Sequence, residues 1–320
     1  MRLKERSENP PLFRNPSRDL HHPKTATMSQ NRSDESTLGQ YIPLLYHYNM
    51  LQDDDRVGAF LNAIEFAVQP GMNVVELGGG TGILSSFAAR IGANVTYVER
   101  NPDLVSIAHG FLRNNGLSDH VDIVQCDAMS FTPETPTDVV ICEMLHVGLL
   151  REKQAQVIDA FKANYKSRFP DHMPQFIPEV SMLLAQLIHQ SFDFYGFDAP
   201  LPMFQAPVMG QIRTTELSKF QTYANIDYRE LIPQRFEQSI AFEMEIPGTV
   251  NAIRFATQNI LAVNLAEQQA ITWPNQCLVL PIQNPIQVKT GDKAHLSIAY
   301  DAGGSVESLW QSLDFIGPEE

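Results

Sequence analysis

The chain has 320 residues, enough for two packed units that each bury a core. Acidic residues outnumber basic ones by 37 to 23, a formal net charge of -14, which excludes a general nucleic-acid binder because phosphate contacts need clustered Lys and Arg. Cys126, Cys142 and Cys277 have neither metal-ligand nor secreted-framework spacing, and no apolar run approaches the roughly 18 residues of a membrane span, so a cytoplasmic protein with no metal, membrane or nucleic-acid partner is expected.

Residues 1–36, rich in Pro, Asn, Ser, Arg and His, cannot offset the entropy of ordering and read as a disordered tail. A helical stretch runs from Tyr41 to about Ala67. Strands and helices then alternate, which predicts a parallel sheet. Val74, Val75 and Leu77 make a buried strand, and Ile83, Leu84, Phe87, Ala88 and Ile91 place one apolar stripe on the next helix. Val95, Tyr97 and Val98 begin a second such unit, whose helix carries Leu104, Ile107, Ala108, Phe111 and Leu112 and stops near Asn114, Asn115 and Gly116. Val121–Val124 and Asp138–Ile141 supply further strands. Beyond about Phe169 come Pro-rich turns and β-prone segments: Met182–Ile188, Ser239–Ile246, Ile260–Leu265 and Gln287–Tyr300. The reading is α/β, with a Rossmann-like domain and its helical lid over 37–170 and a β-rich, barrel-like substrate and dimerisation domain over 171–320.

The first strand runs through Glu76 into Gly78, Gly79, Gly80, Thr81 and Gly82, which open the following helix. Such a loop lets backbone approach a ligand without Cβ hindrance, so Glu76, Gly78, Gly80 and Gly82 are expected cofactor contacts. A dinucleotide fingerprint wants its third glycine one position later, where Ile83 stands, and this counts against a nicotinamide oxidoreductase. Glu99 ends the second strand, where an acid can accept bonds from both ribose hydroxyls. Asp127 ends the third and is placed to meet an adenine amino group. Each acid alone is as readily a helix cap; in this order they favour adenosine.

On these residues and those that follow, the stretch from about Tyr41 to Phe315 resembles the protein arginine N-methyltransferases, class I enzymes that use S-adenosylmethionine (SAM). His47, Met50, Leu51, Asp53 and Arg56 match the family's amino-side motif, with Tyr41 in register. The resemblance implies that Arg56 pairs with the cofactor's carboxylate, that His47 and Tyr41 cover the cofactor, and that Met50 lies near the transferred methyl, unless it simply packs in its helix. It also implies that Glu143 and Glu152, nine positions apart, are the family's catalytic double-glutamate hairpin. Two carboxylates suit a planar cation with five donors, since paired charge-assisted bonds grip it and aim one nitrogen at the methyl. Tyr195-Gly196-Phe197-Asp198 resembles the approach to a dimerisation arm and implies a homodimer. Val288–Asp292 and Leu313–Phe315 resemble the closing strands.

The chain also departs from the family. Thr272 stands where a His is expected before Trp273, which would wall the pocket. Met144 replaces a bulky aromatic, and His146 replaces a small residue and would point toward the acceptor; Thr37 and Leu38 replace lid aromatics. A His there could serve as general base for an acceptor other than a guanidinium, or be an ordinary loop residue. The expected function is methyl transfer from SAM to a nitrogen, foremost an arginine guanidinium. The expected partner is a basic protein or peptide, or alternatively a small-molecule acceptor using His146 or Thr272. A SAM-binding protein without turnover is the third possibility.

Overall fold

The computed structural model describes residues 42–318 apart from Met209; Tyr41, Thr37, Leu38 and the expected tail lie outside the described residues. The predicted helical stretch divides into α1 (Leu44–Leu51) and α2 (Asp54–Ala67). Asp53 makes the division: its carboxylate accepts the Arg56 backbone N–H at 2.9 Å, satisfying a first-turn donor that no helical carbonyl reaches. Phe60, Ala63 and Ile64 then face inward from α2 with no exposed surface.

The alternating units form as expected: β1 (Asn73–Leu77), α3 (Ile83–Ile91), β2 (Asn94–Glu99), α4 (Pro102–Asn114), β3 (Val121–Gln125), β4 (Val139–Cys142), α5 (Gln154–Arg168) and β5 (Gln175–Ile177). They build an all-parallel sheet of order β3-β2-β1-β4-β5. β4 is buried at every residue, as its unbroken apolar run requires. Asn101 caps α4 and Pro102 occupies its first turn, where a missing N–H costs nothing. β5 carries this sheet past the boundary expected at 170, because three residues are too few to show a period among the neighbouring prolines. The strand order reverses between β1 and β4, so a crevice opens at the carboxyl ends of the central strands.

The remaining strands are β6 (Val180–Gln190), β7 (Asp193–Phe194), β8 (Phe197–Asp198), β9 (Met203–Gln205), β10 (Thr214–Glu216), β11 (Gln221–Asp227), β12 (Arg235–Glu243), β13 (Gly248–Asn264), β14 (Gln269–Pro274), β15 (Cys277–Val288), β16 (Lys293–Asp301) and, after helix α6 (Val306–Gln311), β17 (Asp314–Ile316). The expected β-rich domain is therefore present. Its main sheet runs β10-β6-β13-β15-β9, with β11 pairing β6 and β14 pairing β13; a second sheet runs β12-β16-β17. The two meet at an antiparallel bridge between Ser218 and Met244. β12 alternates as a half-buried strand should, with Phe236, Ile240 and Phe242 turned inward. β7 and β8 form a separate hairpin around Tyr195 and Gly196. Among the described residues, no helix is long and apolar enough to cross a membrane.

Candidate functional site

A cavity of about 940 Å³ opens at the reversal of strand order, lined by both domains and by α1. The glycine loop forms its floor. Gly78, Gly80 and Gly82 have φ of 73°, 55° and 79°, the left-handed region where a side chain would be strained. Gly78 and Gly79 donate their N–H groups to the Val98 carbonyl at 2.9 and 3.0 Å, which locks the loop to β2. Glu99 accepts the Gly80 N–H at 3.2 Å and the Asn101 N–H at 2.8 Å, so its carboxylate stands at the cavity edge where sequence placed it. Glu76 also lines the cavity, but its Oε2 accepts the Ser85 N–H at 2.9 Å and the Ser85 hydroxyl. It secures the start of α3. Burial, then the nearby Glu99 charge, pushes its carboxyl up to about 7. Asp127 lines the cavity as well and caps a short 3₁₀ turn through Met129 N–H at 2.9 Å, with Arg100 at 3.7 Å.

α1 and the first turn of α2 roof this floor. His47 is buried so close to Gly80 that a Cβ there would lie 3.3 Å from its ring. Burial and the Arg56 charge lower its pKa and keep the imidazole neutral. Arg56 donates to the Met50 carbonyl at 3.3 Å and to Glu143 Oε2 in a close ion pair, and that pair, against the cost of burial, holds the guanidinium charged. His47 Nε2 and Arg56 Nε are buried without a hydrogen-bond partner among the described residues. Buried polar atoms need partners, so this roof, the glycine floor and Glu99 fit a ligand bearing an acceptor group and ribose hydroxyls.

The loop between β4 and α5 carries both catalytic candidates into the same cavity. Its backbone is held in uncommon geometry, with positive φ at Gly148, Leu149 and Arg151. Gly148 explains the hold: its N–H donates to Thr257 Oγ1 at 2.8 Å, and its carbonyl accepts the Tyr300 hydroxyl at 3.0 Å, itself 2.8 Å from the Tyr223 hydroxyl. Glu152 still reaches the cavity, yet enclosure by protein and the neighbouring Glu143 charge push its carboxyl up to about 8. Met144 packs its sulfur against Gly78, 3.0 Å from where a Cβ would stand. Trp273 walls the far side, edge-on to Phe60 at 6.1 Å.

Residues 74–167 match the family model described as methyltransferase domain. The chain is a SAM-dependent methyltransferase. An uncharacterized protein of Methanocaldococcus jannaschii is 26% identical over 269 residues, covering 84% of this chain and 96% of that one. An arginine N(omega)-methyltransferase of Streptomyces achromogenes subsp. streptozoticus is 32% identical over 112 residues, 33% of this chain and 31% of its own. In fold, the methyltransferase is similar to protein arginine methyltransferase 10 of Arabidopsis thaliana at a TM-score of 0.69 and 16% identity, covering 88% of this chain and 98% of that one.

The methyltransferase thus gathers the described site residues foreseen from sequence into one cavity, apart from Gly82 and Thr272. Gly82 caps α3 behind the floor and shapes the loop. Thr272 is exposed and does not line the cavity, because successive residues of β14 face opposite ways and Trp273 takes the inward side. It cannot stand in for a histidine. His146 does line the cavity and packs edge-on against Phe204 with ring centres 5.6 Å apart. Burial lowers its pKa to about 4, too weak a base for the role sequence allowed it; it is a neutral wall with Nδ1 on the Val147 carbonyl at 3.1 Å.

Three positions that wall the cavity or brace its loop carried no sequence signal. Phe204 enters from β9. Gln154, fully buried, accepts the Met144 N–H at 2.9 Å and donates to the Cys142 carbonyl at 2.8 Å, fixing the backbone on either side of Glu143. Asn275 donates to the Leu145 carbonyl at 3.1 Å and accepts from Asn259 at 2.8 Å, which in turn accepts from Ser181 at 2.6 Å. An Asn275→Ala variant is expected to keep its SAM affinity while kcat for the acceptor falls by about tenfold, from a misplaced loop. Equilibrium SAM titration beside steady-state methylation checks this split.

Proposed function

We propose that the methyl acceptor is a guanidinium nitrogen held between Glu143 and Glu152. One observation carries the reading: both carboxylates line the same cavity as the glycine floor and Glu99, on a loop fixed from two domains. SAM, when bound, supplies a methyl activated by its sulfonium charge. Gly78, Gly80, Glu99 and Asp127 would hold its nucleoside, and His47 and Arg56 its amino-acid end. Glu143 and Glu152 accept N–H bonds from the guanidinium, fixing its plane and concentrating negative potential on the attacking nitrogen. A Glu152 carboxylate that titrates near 8 also suits receipt of the proton that nitrogen sheds on methylation.

Relatives named as a histone-arginine methyltransferase and a protein arginine N-methyltransferase support an arginine borne by a protein as the carrier; unpaired cations beside Glu152 favour a second reading, a small guanidine. We also propose self-association through the β7–β8 hairpin, where Tyr195 and Phe197 are 105% and 71% exposed, apolar surface that a second copy would cover. The test is methyl-labelled SAM with an arginine- and glycine-rich peptide and, separately, a small-metabolite extract, with Glu152→Gln alongside each. Label on an arginine or other guanidine, lost in the variant, is expected. Label only on compounds lacking a guanidine would overturn the reading.

A further inference from the structure

Among the described residues, four cationic side chains line the cavity: Arg56, Arg100, Arg151 and Lys153. Arg56 is paired with Glu143, and Arg100 faces Asp127. Arg151 and Lys153 are half-buried on either side of Glu152 and make no salt bridge or side-chain hydrogen bond among the described residues. In a chain of net charge -14, two cations left unpaired at the acceptor end are a local choice. The backbone presents Arg151 deliberately: its φ is 63°, unfavourable for a long side chain, and its N–H is anchored on the Gly304 carbonyl at 2.7 Å. Arg151 lines the same cavity as Glu152 and His146. Lys153 precedes α5, a helix of 15 residues with no acid in its first turn and no side-chain cap, so the helix adds positive potential there.

We propose that Arg151, assisted by Lys153, binds a carboxylate carried by the acceptor itself, so that the substrate is a small guanidino acid. This rests on the guanidinium reading and narrows it. A guanidinium enters between Glu143 and Glu152 while its carboxylate turns toward Arg151, and His146 and Phe204 close the wall alongside. An Arg-Gly-rich peptide offers no anion at that point and brings further positive charge toward two unpaired cations.

The test compares three acceptors with labelled SAM: L-arginine, agmatine, which is the same molecule without its carboxylate, and an Arg-Gly-rich peptide. L-arginine is expected to exceed agmatine in kcat/KM by about tenfold or more, the worth of one charge-assisted contact. Arg151→Ala should bring that ratio near one, Arg151→Lys should restore part of it, and Lys153→Ala should lower it less; SAM titration of each variant establishes that it is folded. Equal use of L-arginine and agmatine by the unaltered enzyme, or a ratio unmoved in Arg151→Ala, would overturn the proposal. Label on the peptide alone would overturn it while leaving the guanidinium reading intact. No label on any guanidine would remove both.

Discussion

Glu152→Gln should lower methyl transfer by about a hundred- to a thousandfold while leaving SAM affinity nearly unchanged. The amide has almost the shape of the carboxylate, so the loop and its ties to Thr257, Tyr300 and Asn275 persist. What changes is charge and donor count. A carboxylate accepts from two guanidinium N–H groups, whereas an amide presents one acceptor and an NH₂ that opposes those donors. Misaligning the nucleophile and removing a charge aimed at it each cost a factor of this order. Single-turnover methylation beside equilibrium SAM titration separates the two terms, and an equal loss of both would mean that Glu152 holds the cavity together instead.

The same variant carries a stability signature of defined sign. Glu152 has an ordinary carboxyl value of 4.5 when unfolded and about 8 in the fold. The folded state therefore binds the proton more tightly, so this group's stabilising contribution is full below about 4.5 and is lost as pH rises through 8. The amide never ionises. Thermal unfolding from pH 5 to 9 should show the variant gaining on the parent as pH rises, with the larger Tm at pH 9. Acceptor kcat/KM of the parent should rise over the same range, because the ionised carboxylate is the form that grips a cation.

Gly79→Ala should be the most damaging single methyl in the cofactor floor, weakening SAM binding by about a hundredfold and lowering Tm. Its Cβ would stand 2.2 Å from two ring carbons of Tyr97. Tyr97 has no exposed surface to retreat into, and its hydroxyl donates to the Gly80 carbonyl at 2.7 Å. Either the ring leaves and that bond breaks, or the loop lifts from β2 and the Gly78 and Gly79 N–H groups lose Val98. Gly58→Ala is the matched control: a Cβ there meets nothing within 4 Å, and Ala in a helix is expected to stabilise by up to about 1 kcal/mol. Calorimetric titration and thermal unfolding of both variants read the contrast, and unaltered SAM binding by Gly79→Ala would refute a backbone cradle.

Much of the cofactor half was legible because its chemistry is local. Gly78, Gly80, Glu99 and Asp127 sit at strand ends, and a strand end can be located from apolar runs alone. The acceptor half depends on contacts between distant parts of the chain. Asn275 meets the Leu145 carbonyl across 130 positions, and Phe204 reaches His146 from a three-residue strand. No periodicity marks either. Thr272 was misplaced because a register aligned by motif says nothing about which way a strand residue faces. His146 was located correctly, but the sequence left open whether it is a base or an ordinary loop residue, since the burial that lowers its pKa arises only when Phe204 and its own loop enclose it.

Gly148 is bonded through both its N–H and its carbonyl to side chains of the β-rich domain, so that domain dictates the shape of a loop encoded in the other. The methyl donor's cradle owes nothing to those two bonds. Changes at Thr257, Tyr300 or Asn275 are therefore expected to reshape the acceptor end while leaving the donor's cradle in place.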